Sequence, residues 1–184
     1  IRYGLSNNFE LQFHTPFTKE RCFENNQLTS NIFKFEEMEF GASVNLWKQN
    51  KIIPETAVMA RLVLPTKNFN SNGFGNIISL NFSNVIWNNI SLNYNVGSTT
   101  NLNKNTFGFY IVNFSYQSTN NLRFFIENSG MFNENSESNC LGTGFGTNLS
   151  HSIGIDFSIA KSLKNNMFYS GAIITWVINT NKKG

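Results

Sequence analysis

The sequence predicts an all-β fold, an antiparallel up-and-down transmembrane β-barrel of about twelve strands. The first observation behind this is a strict two-residue alternation. Ile90–Gly97 reads Ile-Ser-Leu-Asn-Tyr-Asn-Val-Gly, and Ser152–Ala160 reads Ser-Ile-Gly-Ile-Asp-Phe-Ser-Ile-Ala. Each strand therefore has one apolar face and one polar face. The second observation is length. Strands of soluble sandwiches have a mode of about five or six residues, whereas these segments reach the roughly nine to eleven that cross a bilayer at a tilt. The third is balance. Hydrophobic residues make up 40% of the 184 and 19 are Phe, yet mean hydropathy is −0.24. A barrel in lipid gives this combination, because each lipid-facing Phe or Ile is offset by a lumen-facing Asn or Ser.

Eleven strands can be marked in order. Ile1–Leu5 and Phe9–Arg21 flank the polar turn Ser6-Asn7-Asn8. Phe35–Leu46 follows the polar, charged stretch Cys22–Lys34. Thr56–Pro65 follows the connector Trp47–Glu55. Asn76–Trp87 and Ile90–Thr100 are separated only by Asn88-Asn89, a two-residue hairpin turn in which Asn tolerates positive φ. Thr106–Gln117 and Leu122–Phe132 flank Ser118–Asn121. Thr143–Leu149 starts in the Gly142-x-Gly144-x-Gly146 run, Ser152–Leu163 follows Ser150-His151, and Met167–Asn179 comes last. No stretch approaches the roughly twenty apolar residues of a membrane helix.

The connectors alternate in character. Ser6–Asn8, Trp47–Glu55, Asn88-Asn89, Ser118–Asn121 and Ser150-His151 are mostly tight. Cys22–Lys34, Thr66–Gly75, Asn101–Asn105, Asn133–Gly142 and Lys164–Asn166 are mostly longer and richer in Asn, Ser, Gly and charge. Short turns of such barrels face the periplasm, so the expected location is a bacterial outer membrane with the C-terminus periplasmic. Single-chain bacterial barrels have even strand numbers. Eleven strands beginning outside therefore imply a single domain, residues 1–184, that lacks its first strand and a leader. The missing strand would lie between Ile1–Leu5 and Met167–Asn179.

The alternation also assigns faces. Ile1, Tyr3, Leu5, Phe9, Leu11, Phe13, Met38, Phe40, Val44, Leu80, Phe82, Ile153, Ile155, Phe157, Ile159, Ile174 and Trp176 fall toward lipid. Arg2, Glu10, Gln12, His14, Glu37, Glu39, Arg61, Arg123, Glu127 and Asp156 fall on the opposite face, as lumen-lining residues. This set reads in two ways. It is a selectivity lining across a water-filled lumen, or a network of Arg–carboxylate pairs that crosses and fills a narrow barrel. Trp47, Trp87 and Trp176, near strand ends, are expected to share one interface belt, with Tyr3, Tyr94, Tyr110, Tyr116 and Tyr169 in the same class.

Other chemistries find little support. Nucleophilic hydrolysis needs a Ser with a His base on one surface, and the chain has only His14, on a lumen face, and His151, in a turn beside Ser150 and Ser152. No catalytic residues, metal ligands or cofactor are therefore assigned. The net charge of +3 has no basic cluster behind it beyond Lys182-Lys183, which argues against nucleic acid. The glycine run opens a strand rather than a helix, so it is not a phosphate loop. Cys22 and Cys140 both fall at the extracellular end and form a candidate disulfide, subject to their Cα atoms approaching within about 7 Å.

A family comes into view at this point. Ile1-Arg2-Tyr3-Gly4-Leu5-Ser6-Asn7-Asn8-Phe9-Glu10-Leu11 resembles the "LRYGLTDRFELR" opening hairpin of a family of Gram-negative outer-membrane barrels catalogued as transporters of a phenol-degradation (MetA) pathway. Ile53–Thr66 resembles its "IPETALLAHLTLPTG", Leu92–Gly97 its "LGYNLG", Phe125-Ile126-Glu127 its "FVE" and Ile155–Ser158 its "LDLS". Arg61 stands where His is more usual, Lys67 where a Gly is, and Thr180–Gly184 extends past the usual terminal aromatic. The resemblance implies a barrel of about the counted size and a porin or transporter for small, hydrophobic or aromatic solutes. The alternative is a non-conducting structural or accessory barrel in a larger outer-membrane complex. Expected partners are outer-membrane lipid and, in that second case, other outer-membrane or periplasmic proteins.

Overall fold

The computed structural model describes residues 1–15, 17–24, 27–35, 37–66, 73–134, 136–150 and 153–176, without the side chains of 17, 18, 20–24, 27, 28, 34 and 35. The strands are β1 (Arg2–Gly4), β2 (Phe9–His14), β3 (Phe17–Glu24), β4 (Gln27–Phe35), β5 (Met38–Trp47), β6 (Glu55–Leu64), β7 (Gly75–Trp87), β8 (Ile90–Thr100), β9 (Thr106–Gln117), β10 (Leu122–Phe132), β11 (Glu137–Asn148), β12 (Ile153–Ser162) and β13 (Phe168–Trp176). Eleven of them form one sheet in the order β1-β2-β5-β6-β7-β8-β9-β10-β11-β12-β13, antiparallel at every step. The fold is therefore an all-β antiparallel meander. Among the described residues β1 pairs only with β2, and β13 only with β12.

Two expectations change. The strand expected over Phe9–Arg21 is divided at His14, next to Pro16, which has no N–H for a ladder. Its continuation, β3, leaves the sheet and pairs with β4 alone, so the loop expected over Cys22–Lys34 is largely a two-stranded ribbon. Thr18, Lys19, Glu20 and Arg21 blur any apolar alternation there, which is why composition read as loop. Likewise β11 starts at Glu137 rather than Thr143. Its first half pairs with β10 from Phe132↔Glu137 onward, and the connection shrinks to a turn in which Asn133 Oδ1 accepts from Ser136 N at 2.7 Å and from its hydroxyl at 2.9 Å. The expected extension of the last strand to Asn179 lies outside the described residues.

The connections β1–β2, β5–β6, β7–β8, β9–β10 and β11–β12 gather at one end of the sheet, the turn end. The ribbon and the connections β6–β7, β8–β9, β10–β11 and β12–β13 gather at the other, the loop end.

The burial pattern inverts that of a water-soluble protein. Among the described residues only Val63 and Leu102 are buried hydrophobics, while Gln12, Thr56, Ser79, Ser115 and Ser162 are buried polar residues. The ladders explain this. Directly opposed residues share a face, and Leu11, Phe40, Leu62, Ile78, Leu80, Val96, Val112, Phe114, Phe124, Ile126, Leu141, Phe145, Phe157 and Ile159 all fall on one of them, exposed. Cross-strand ring pairs add to this face. Phe13–Phe40, Phe82–Tyr94 and Phe145–Phe157 have centroids 4.7, 5.0 and 5.3 Å apart. No helix among the described residues is long and apolar enough to cross a membrane.

Candidate functional site: the polar face of the sheet

Following the register outward from Arg61 defines the other face. Arg61 lies opposite Gly41 of β5, and Gly41 opposite Gln12 of β2, which lies opposite Arg2 of β1. The Arg61 guanidinium reaches over Gly41, donating from Nε and Nη2 to Gln12 Oε1 at 2.9 and 2.7 Å and from Nη1 to Glu39 Oε2 at 2.9 Å. Glycine is what makes the reach open, since a Cβ on Gly41 would stand 2.5 Å from Arg61 Cγ. The network continues in both directions. His14 Nδ1 is 3.4 Å from Glu39 Oε2, Gln12 Nε2 donates to Glu10 Oε1 at 2.7 Å, and Arg2 Nε stands 3.9 Å from the same Glu10 oxygen.

A second group repeats the arrangement. Arg123 of β10 and Asp156 of β12 both face Gly146 of β11, and Arg123 Nη2 meets Asp156 Oδ1 at 2.5 Å. The guanidinium also lies 5.9 Å from the Phe125 ring centroid. Glu127 sits between Asn113 and Gly142 in the ladders, and among the described residues its carboxylate accepts from Asn113 Nδ2 at 3.2 Å rather than pairing with a cation. Between the two groups runs a band of amides and hydroxyls. Asn95 Nδ2 and Ser79 Oγ donate to Asn81 Oδ1 at 3.2 and 3.3 Å, Ser83 Oγ to Asn93 at 2.8 Å, and Ser115 Oγ to Asn113 at 2.7 Å.

Arg2, Glu10, Gln12, His14, Glu39, Arg61, Arg123, Glu127 and Asp156 thus lie on one face. Glu37 stands just ahead of β5, off the ladder. Its place among the acids is taken by Glu55, opposite Ser83 on the same face, with Oε1 accepting from Asn45 Nδ2 at 2.6 Å. The sequence reading placed Glu55 in a connector, because Pro54 obscures where β6 begins. The expected Arg–carboxylate pairing forms at Arg61–Glu39 and Arg123–Asp156, and its contacts run along the sheet. Both Arg residues bridge along the wall to the second-neighbour strand, across one glycine. Two cavities of about 770 and 700 Å³ remain at the turn end, one beside Arg123, Gly146 and Asp156, the other beside Glu10, Gln12, Asn45 and Asn95.

Cys140 is a free, half-buried thiol on the polar face, between Ser129 and Ser162. The expected bridge to Cys22, whose side chain lies outside the described residues, is not made. Trp47, Trp87 and Trp176 all stand at the turn-end limits of their strands and are 50, 65 and 70% exposed. Tyr169 differs from the other tyrosines, since its partner Ala160 puts it on the polar face. His151 lies outside the described residues.

A family model described as "Putative MetA-pathway of phenol degradation" matches residues 2–182. The chain belongs to this family. No curated protein matches it. For this member of the MetA phenol-degradation family, the matched span contains both glycine-bridged charge groups and the whole amide band. Besides Glu55, the bridged glycines Gly41 and Gly146 escaped the sequence reading as functional residues. Their role is visible only from the side chains on either side of them.

Proposed function

We propose that this protein is an outer-membrane β-barrel that lets small, uncharged solutes, including hydrophobic or aromatic ones, pass along its polar face. The observation that carries the reading is the inverted burial. An exposed face of Leu, Ile, Val and Phe has a favourable partner in lipid, and a face of amides, hydroxyls and paired charges has one in a water-filled interior. A chain of this kind crosses a bilayer only if its backbone groups are all paired, which favours a closed sheet. The wall-lying charge pairs favour passage over a plug, because each Arg is held against its own wall and leaves the space beyond it free. Membership of a family named for a phenol-degradation pathway agrees with the solute class.

Swelling of proteoliposomes tests this. Vesicles containing the refolded protein are expected to swell in isosmotic arabinose. Folded protein that produces no swelling would instead indicate a non-conducting accessory barrel.

A further inference from the structure

The apolar face changes chemistry at the loop end of β11, β12 and β13. Its rungs there run Phe145↔Phe157↔Ala172, then Thr143↔Ile159↔Ser170, then Leu141↔Lys161↔Phe168. A lysine thus stands on the side that otherwise carries Phe, Ile and small residues. Its height accounts for this. Lys161 and Phe168 lie eight residues along β12 and β13 from Ile153 and Trp176, about 27 Å of strand. At a tilt of about 40° the rise is roughly 20 Å, close to the apolar band of about 25 Å. With Trp176 at one interface, Lys161 falls near the other, where a long stem carries its ammonium to the headgroups.

Two donors meet at that height. Lys161 Nζ lies 5.5 Å from the Phe168 ring centroid, and among the described residues Lys161 forms no ion pair. The nearby cation Lys164 is already held by Glu137 at 2.6 Å. Asn139 is the diagonal neighbour of Lys161 on the same face, about 7–8 Å away. Its Oδ1 accepts from Asn128 Nδ2 at 2.8 Å, and Asn128 Oδ1 accepts from the Tyr110 hydroxyl at 3.1 Å. Among the described residues, Asn139 Nδ2 is left without an acceptor. One rung toward the midplane, a groove of about 600 Å³ opens on the same face, lined by residues that include Phe124, Thr143, Phe145, Phe157, Ile159 and Ala172.

We propose that this face binds one anionic phospholipid, with its phosphate on Lys161 and Asn139 and an acyl chain in the groove. The inference rests on the reading of the apolar face as the lipid-facing one. A cation and an amide donor at the headgroup level, with an apolar groove directly beneath, reproduce the order of phosphate and chain along a phospholipid. A lipid of no net charge would leave the ammonium without a counter-charge.

The test is a titration of the full chain in neutral detergent with phosphatidylglycerol, read by native mass spectrometry. One adduct per chain is expected to saturate, and to form in preference to a phosphatidylcholine adduct. Lys161→Gln should weaken it about fivefold, the usual worth of one lysine at an anionic surface. Lys164→Gln should leave it unchanged, and Ala172→Phe should abolish it by filling the groove. If Ala172→Phe fails to fold, the two lysine variants and the headgroup comparison decide. Equal binding of the two lipids, or adducts that accumulate without saturating, would overturn the site, and an adduct retained in Ala172→Phe would overturn the groove. Protein that swells vesicles in arabinose without a saturable adduct would sink the lipid site and leave the solute path standing, and a saturable adduct without swelling would do the reverse.

Discussion

Arg123 of β10 and Asp156 of β12 meet at 2.5 Å across a strand to which neither belongs, and the residue beneath them is Gly146. Arg61 and Gln12 stand in the same relation over Gly41. In both cases a Cβ on the glycine would enter space that is already filled, by backbone and the Arg61 stem at Gly41 and by the paired side chains at Gly146. A Cβ at Gly146 would collide with Asp156 Oδ1 and stand 3.2 Å from Arg123 Nη2.

Gly146→Val is therefore expected to destabilise the folded protein by about 1–3 kcal/mol, the usual cost of forcing a side chain into filled space. Gly4→Ala is the control, because its Cβ would meet nothing closer than Ser6 O at 4.0 Å. That change should stay within about 0.5 kcal/mol. Urea titration of vesicle-refolded protein, followed by tryptophan fluorescence, reads both.

Arg61→Ala should cost more. Arg61 and Glu39 side chains are only 19 and 16% exposed, and removing one partner of a mostly buried pair leaves the other uncompensated, at about 3 kcal/mol. The double change Arg61→Leu/Glu39→Leu should be less damaging than Arg61→Ala alone, since no charge is stranded. Equal losses in the two variants would show that the pair does not act as a unit.

How far the sequence carried this follows from where its period survives. Ile153–Ile159 and Ile90–Val96 alternate cleanly, so their faces and the charges between them were legible before any coordinates. The first half of β11 was not. Ser138, Cys140 and Gly142 on one side and Glu137, Asn139 and Leu141 on the other have no contrast, and only pairing with β10 makes them a strand. The β3–β4 ribbon failed for the same reason. The bridged glycines were illegible for a different one. Gly41 and Gly146 matter through the length of the arginines on neighbouring strands, a three-strand relation that local pattern does not contain. Glu55 was lost to a boundary, and Glu37 gained by one.

Ile126→Arg should destabilise by about 2–4 kcal/mol, the cost of a basic residue near the midplane on a lipid-facing side. Ile126 is mid-strand and 58% exposed on the apolar face. Ser158→Arg, on the exposed polar face of the neighbouring region, should stay within about 0.5 kcal/mol. Reversal of that order would mean that the faces are exchanged.

Single-tryptophan variants that keep Trp47, Trp87 or Trp176 in turn should be quenched alike by lipids carrying a spin label at a given depth. All three stand at the turn end, where amphipathic rings favour the interface. Depths spread over more than about half of the roughly 25 Å apolar band would refute a common belt.

Ion conductance of the purified, refolded chain in planar bilayers tests the central claim most directly. The strand residues of the polar face include Arg2, Arg61 and Arg123 against Glu10, Glu39, Glu55, Glu127 and Asp156, three positive charges against five negative. Discrete conductance steps with a modest preference for cations are the expected result, weakened further toward anion exclusion loss in Glu127→Gln. Folded protein that inserts and passes no current, or that prefers anions, would contradict the account.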